Sequence, residues 1–208
     1  MGVWSDRVLP RIIDRACAGK EFDPWRRQAC SGLTGRVLEI GFGSGLNIDH
    51  YPDTVASVAA VEPSDLAWEL SGRRRAGSSI RVERSGLDGQ ELAEADASCD
   101  SALSTFTLCT VPDPTRALRE VRRVLRPGGA LHVLEHGLAP EPDVARWQRR
   151  LDPVQKRVAG GCHLTRPATR LLVEAGFDVE VAEEFYLPGP KVMRPWSWCT
   201  VAVCRPAR

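Results

Sequence analysis

The chain has 208 residues, 43% of them hydrophobic, with 28 basic against 27 acidic side chains and a formal net charge of +1. A chain of that length buries roughly 70% of its unfolded surface on folding and needs no disulfide or metal staple. The charge balance lacks the basic excess of a nucleic-acid-binding protein, and no run approaches the roughly 18 consecutive apolar residues of a membrane span.

The segment Met1-Gly2-Val3-Trp4-Ser5-Asp6-Arg7 has no apolar core or small-residue cleavage site, so no secretory signal is expected. Cysteines stand at 17, 30, 99, 109, 162, 199 and 204, with no Cys-x-x-Cys pair. Neither a zinc site nor a dithiol redox motif is read from them, and no metal is expected. They read as small hydrophobes in a reduced, cytoplasmic compartment.

Residues 1–34 predict two short helices. Val8, Leu9, Ile12 and Ile13 recur at helical spacing, Phe22, Trp25, Ala29 and Leu33 roughly repeat the pattern, and Asp23-Pro24 reads as a cap and first position. From residue 35 short apolar runs alternate with helical segments. Val37–Ile40 is the first strand and ends in Gly41-Phe42-Gly43-Ser44-Gly45. Val55–Val61 is the second, followed by a helix from Asp65 to Arg75. Ile80–Glu83 and Ser101–Thr107 are the third and fourth. Asp113–Arg126 is a helix with Asp113 as cap and Leu118, Val121, Val124 and Leu125 on its buried face; Pro127-Gly128-Gly129 ends it, and Ala130–Glu135 is the fifth strand. Residues 137–176 read as helical and polar, with Trp147, Leu151, Val154 and Val158 as the apolar stripe. Phe177–Glu183 and Pro195–Cys204 are the final strands.

Strands alternating with helices specify crossover units and a mostly parallel α/β sheet covered on both faces. The expectation is a single domain over 1–208. An N-terminal helical segment (1–34) precedes an alternating core (35–136), further helices (137–176) and C-terminal strands (177–208).

The chemistry concentrates where the first strand meets the following turn. Glycines there let the backbone approach a ligand, at the sheet edge where open α/β folds bind one. Glu62, at the end of the second strand, can accept both hydroxyls of a ribose. A dinucleotide site requires Gly-x-Gly-x-x-Gly, but Leu46 or Ile48 stands at the third glycine position. Glu39 followed by Gly-x-Gly-x-Gly suits a ligand without phosphates, with an amino-acid tail and a ribose: S-adenosylmethionine.

Val37-Leu38-Glu39-Ile40-Gly41-Phe42-Gly43-Ser44-Gly45, Val61-Glu62-Pro63-Ser64, Leu103-Ser104-Thr105-Phe106-Thr107-Leu108 and the Glu120–Gly129 helix-to-turn run resemble the motifs of class I S-adenosylmethionine-dependent methyltransferases. Leu46-Asn47 into Tyr51-Pro52, Thr107-Leu108-Cys109, Leu134-Glu135-His136, Leu151-Asp152-Pro153 and Gly161–Arg166 are similar to the alkyl thiol S-methyltransferase branch. The resemblance implies a Rossmann-like class I methyltransferase fold with a seven-stranded, mostly parallel sheet whose last strand is antiparallel, residues 1–34 as a helical lid, 35–136 as the cofactor-binding core and 137–176 as acceptor-side helices. Glu39, Gly41, Gly43 and Gly45 would frame the methionine part of the cofactor. Glu62 would hold the ribose, with Ser64 beside it, and Gly86 and Leu87 would contact the adenine. Thr105 and Phe106 would line the cleft. Two departures stand out. The family's acidic residue is missing from Ser85-Gly86-Leu87-Asp88, and a polar segment replaces the apolar N-terminal anchor of animal members.

His136 ends the fifth strand and is the candidate proton acceptor or thiolate stabiliser, with His163 second. Cys109 is read as a packed hydrophobe, Cys162-His163 as too isolated to bind a metal, and Arg73-Arg74-Arg75 as a solvated helix end. The expected activity is S-methylation of a small thiol or hydrogen sulfide, releasing S-adenosylhomocysteine. The alternatives are C- or O-methylation of a quinone, phenol or lipid-like acceptor, and a non-catalytic cofactor-binding module.

Overall fold

The structure is a computed structural model and describes residues 2–207. Helices α1 (Leu9–Cys17) and α2 (Asp23–Cys30) precede β1 (Gly35–Ile40), β2 (Val55–Val61), α3 (Asp65–Leu70), α4 (Gly72–Gly77), β3 (Arg81–Gly86) and β4 (Cys99–Thr105). Then follow α5 (Pro114–Val124), β5 (Leu125–His136), α6 (Pro142–Val158), α7 (Ala168–Glu174), β6 (Phe177–Tyr186), α8 (Arg194–Ser197) and β7 (Trp198–Pro206). The sheet order is β3-β2-β1-β4-β5-β7-β6, with the first five strands parallel and β7 antiparallel to both of its neighbours. The order reverses between β1 and β4, and the crevice at the C-terminal ends of those strands is where a doubly wound sheet binds its ligand.

Strand alternation divides the core into two layers. Leu38, Ile40, Ala102, Leu131 and Val133 point to one face and pack under Leu118, Val121 and Val124 of α5 and Leu172 of α7. Val37, Leu103, Leu134 and Val201 point to the other, under Ala29 and Cys30 of α2. Helix α2 thus lies across the sheet, as its apolar stripe anticipates, whereas Ile12 and Ile13 of the first stripe are 47% and 46% exposed on α1. Trp25 stacks on Phe185 with ring centroids 3.5 Å apart. Among the described residues, no helix is long and apolar enough to cross a membrane.

Several local expectations are corrected. Asp23 is the first residue of α2 rather than its cap, and its carboxylate faces His50 at 3.5 Å. The helix expected over 65–75 breaks at Ser71, whose hydroxyl donates to the Trp68 carbonyl at 2.6 Å and competes with the helical ladder. The basic run in α4 is not simply solvated. The Arg75 guanidinium lies 3.7 Å from the Trp68 ring centroid, and Arg74 pairs with Asp14. Helix α5 is capped by Asp113 as read, but it stops at Val124, and β5 begins at Leu125, which pairs with Cys99.

The largest reversal is in α6. Trp147, Val154 and Val158 are 55%, 60% and 47% exposed, while Val144, Ala145, Gln148 and Asp152 face inward. Polar side chains turn in because buried loops need them. Gln148 accepts the Ala139 N–H at 2.9 Å and donates to the carbonyls of Gly137 and Pro195, and Asp152 accepts the Leu164 N–H at 2.7 Å. Orphaned backbone groups would be worse than exposed apolar ones.

Candidate active site

The glycine loop follows β1 directly. Gly41, Gly43 and Gly45 all have positive φ, at +68°, +59° and +75°. Their surroundings differ. A Cβ on Gly41 would collide with the Thr107 side chain, and one on Gly45 would sit 2.9 Å from Ile48. Both glycines therefore serve packing. A Cβ on Gly43 would find nothing nearer than the Gly41 carbonyl at 3.9 Å, so this glycine borders open space. That opening suits a bound ligand.

Glu62 closes one side of the opening. Its Oε2 accepts the Gly43 N–H at 2.6 Å and its Oε1 accepts the Ser64 N–H at 2.8 Å. Burial raises its carboxyl pKa, and the two N–H bonds oppose that shift. Each oxygen retains a further lone-pair direction for a ligand hydroxyl. The Ser64 hydroxyl is engaged elsewhere, capping α3 by accepting the Ala67 N–H at 3.2 Å. Gly86 ends β3, and its carbonyl accepts the Glu62 N–H at 3.1 Å; Leu87 beyond it is 59% exposed.

Glu39 is fully buried. Its carboxylate accepts the Asn47 side-chain N–H at 2.8 Å and the Tyr51 hydroxyl. Burial pushes it up to about 7 despite those donors. It does not line the opening; it holds Asn47, which also donates to Thr105 Oγ1 at 2.9 Å. Arg26 of α2 completes this network, donating to Asn47 Oδ1 at 2.7 Å while its guanidinium lies 5.7 Å from the Phe106 ring centroid. Phe106 has a positive φ of 53° and meets Phe22 edge-on at 5.7 Å. A strained non-glycine residue at a strand end marks a site that the surrounding structure holds in place.

Further along the same edge stands His136. Its Nε2 lies 3.1 Å from Cys162 Sγ, and Cys109 completes a group whose ligand atoms all lie within 4.8 Å of one another. Burial pulls the His136 pKa down, and contact with Cys162 and the neighbouring Glu135 outweighs it, leaving the ring above its ordinary value. The Cys162 thiol is raised by the neighbouring Cys109 thiol and by burial. The reading of Cys162 as isolated from any metal-binding set is thus corrected. His163, the second candidate, turns its ring to Asp152 at 3.7 Å and lies outside this group.

Glu135, Arg166, Arg26 and Asn47 are parts of the site that sequence reasoning gave no role. Glu135 accepts the Ser104 hydroxyl at 2.6 Å and the N–H groups of Thr107 and Leu108 at 3.0 and 3.2 Å, which shapes the turn after β4. Arg166 donates to the carbonyls of Leu108, Val111 and Pro112. An acid inside an apolar strand was the available signal for Glu135; nothing local marked the arginines. Two surface cavities of about 380 and 400 Å³ lie elsewhere, one beside Arg75 and Ile80, the other beside Ser101 and His132.

Residues 38–133 match the family described as Methyltransferase domain. The chain is 34% identical over 171 residues to thiol S-methyltransferase TMT1B of Rattus norvegicus, an alignment covering 79% of this chain and 66% of the relative. It is 35% identical over 178 residues to thiol S-methyltransferase TMT1B of Mus musculus, covering 82% and 69%. The chain therefore spans about two thirds of the length of these relatives. The fold is similar to a solved S-adenosylmethionine-dependent methyltransferase from Mesorhizobium loti, with a TM-score of 0.65 at 20% identity over 90% of this chain and 99% of that one.

Proposed function

The chain belongs to the class I S-adenosylmethionine-dependent methyltransferases, and on that premise we propose that it methylates a small thiol, either an alkyl thiol or hydrogen sulfide. The observation that carries the cofactor reading is the opening at Gly43, bridged to Glu62. The thiol class is supported by the relatives named thiol S-methyltransferase.

S-adenosylmethionine supplies a methyl group already activated by its sulfonium and leaves as S-adenosylhomocysteine. The protein's task is then placement, worth up to roughly 7–11 kcal/mol for well-aligned reactants. Glu62 accepts the ribose hydroxyls on its free lone pairs. Gly43 admits the ligand to the backbone, while Gly41 and Gly45 hold the loop's shape. Ser64 fixes the start of α3 beside the ribose, and Gly86 and Leu87 flank the adenine. Thr105 and Phe106 form the wall toward β4. Glu39 acts one layer back, through Asn47 and Arg26. His136 stands on the acceptor side and stabilises the thiolate.

The test is transfer of labelled methyl from S-adenosylmethionine to hydrogen sulfide, an alkyl thiol, a phenol and a quinol. Labelled sulfide or thioether is expected. Transfer to the phenol or quinol alone would discard the thiol class, and cofactor binding without any transfer would favour a non-catalytic module.

A further inference from the structure

We propose that Cys109, His136 and Cys162 are the three protein ligands of a zinc site whose fourth position takes the acceptor thiol; the second half rests on the thiol reading above.

Geometry comes first. Zinc bonds of 2.0–2.3 Å to nitrogen and sulfur at tetrahedral angles place neighbouring donors roughly 3.5–3.8 Å apart. The observed donors lie within 4.8 Å of one another, with His136 Nε2 and Cys162 Sγ at 3.1 Å. Small side-chain rotations would equalise the three edges. The donor chemistry is equally selective. Two sulfurs and an imidazole suit zinc and repel the hard cations magnesium and calcium.

The ligands arrive from separate segments, and independent contacts fix each one. Cys109 sits in the turn after β4, held by Glu135 on its N-terminal side and by Arg166 through the flanking carbonyls. Cys162 follows two glycines of positive φ after α6, and the next residue donates its backbone N–H to the Cys109 carbonyl at 2.8 Å. That bond sets the two thiols side by side. His136 ends β5, paired there with Cys199 of β7. A preorganised set of this kind is what a metal site requires.

Both cysteines are buried and His136 is half-buried. Three protein ligands with one open position is the composition of a catalytic zinc rather than a structural one. The group also adjoins the cofactor cleft. Cys109 lies two residues beyond Thr107, whose side chain packs where Gly41 lacks a Cβ.

The chemistry balances. An entering R–SH displaces water from zinc and loses its proton to solvent, because a coordinated thiol is deprotonated outright. A lone pair of the bound sulfur then forms the new S–C bond. The sulfonium C–S bond breaks, and its electron pair neutralises the cofactor sulfur. The product thioether is uncharged, binds zinc weakly, and yields its place to water.

The test begins with metal content. Protein purified without chelator should carry about one zinc per chain, and Cys109→Ser, Cys162→Ser and His136→Asn should each lose most of it. Cys204→Ala, on β7 outside the group, should retain it. Cobalt substituted for zinc should show thiolate-to-metal charge transfer, with ligand-field bands that move when an alkyl thiol is added. Wild-type protein holding no more zinc than a folded Cys109→Ser/Cys162→Ser double variant would overturn the proposal, as would a Cys109–Cys162 disulfide in freshly purified wild type.

Activity separates this proposal from the reading beneath it. Removing the metal should lower thiol turnover roughly 30-fold at pH 7, because a free thiol titrating near 8.5 is only a few per cent thiolate there. Undiminished thiol methylation by metal-free enzyme would overturn the zinc site and leave the thiol reading standing. A zinc-loaded enzyme that methylates only a phenol, with a cobalt spectrum unmoved by thiols, would overturn the acceptor half together with the thiol reading.

Discussion

The Glu62 carboxylate accepts the backbone N–H of Gly43 at 2.6 Å, which ties the end of β2 to the glycine loop after β1. One side chain thereby fixes the loop and offers lone pairs to a ligand. Glu62→Ala removes both functions. We expect the Kd for S-adenosylhomocysteine to rise roughly 10- to 100-fold, the equivalent of about 1.5–3 kcal/mol for a hydrogen bond to a charged group. Titration calorimetry decides this, and unchanged affinity in a folded variant would remove Glu62 from the site.

Gly43 borders open space, so its replacement separates folding from binding. Gly43→Val places a branched side chain in the opening and forces it to a φ of +59°. The strain should lower stability by about 1–3 kcal/mol. Binding should be lost altogether, because the side chain fills the ligand's volume. A folded valine variant with wild-type cofactor affinity would show that the ligand lies elsewhere.

Glu39 makes the fold sensitive to pH. Its ordinary value is 4.5, and burial raises it to about 7 in the folded protein. Folding therefore takes up a proton between those values, and this contribution declines as pH rises through the window, by roughly 3 kcal/mol in all. Glu39→Gln cannot titrate, so the stability difference between wild type and variant should slope across pH 4.5–7 and flatten above it. Denaturant melts at a series of pH values measure that difference. Glu135, which is also raised, is common to both proteins and drops out, whereas the Glu62 charge is itself one of the causes that raise Glu39.

Glu135 is a structural acid next to His136 and under the turn that carries Cys109. Glu135→Ala leaves the buried N–H groups of Thr107 and Leu108 and the Ser104 hydroxyl without their acceptor. A loss of about 3 kcal/mol or more is expected, lowering Tm by roughly 6–12 °C for a chain of this size. A thermal melt shows it directly, and a Tm within a degree of wild type would mean that these donors find other partners.

Much of this protein is legible along the chain because its signals are local. The Glu39–Gly45 run, Glu62 at the end of β2, and Asp113-Pro114 at the start of α5 each act through neighbouring backbone, so residue type and spacing carry them. The parallel part of the sheet follows from the alternation of apolar runs and helical stripes, and its antiparallel last strand is what the family resemblance implies.

Tertiary structure decided the rest. The apolar spacing of Trp147, Val154 and Val158 pointed to a buried face, yet Gln148 and Asp152 occupy it, because buried loop groups from other segments needed donors and acceptors. Glu39 could be read as facing a ligand, but only folding showed both its oxygens committed to Asn47 and Tyr51. Cys109, His136 and Cys162 are far apart in sequence, with no spacing that marks them as a set, and they meet because the turn after β4, the end of β5 and the loop after α6 converge on one sheet edge. Local propensity and periodicity are properties of the chain itself. The pairing of distant polar groups is set by which buried atoms the fold leaves in need of a partner.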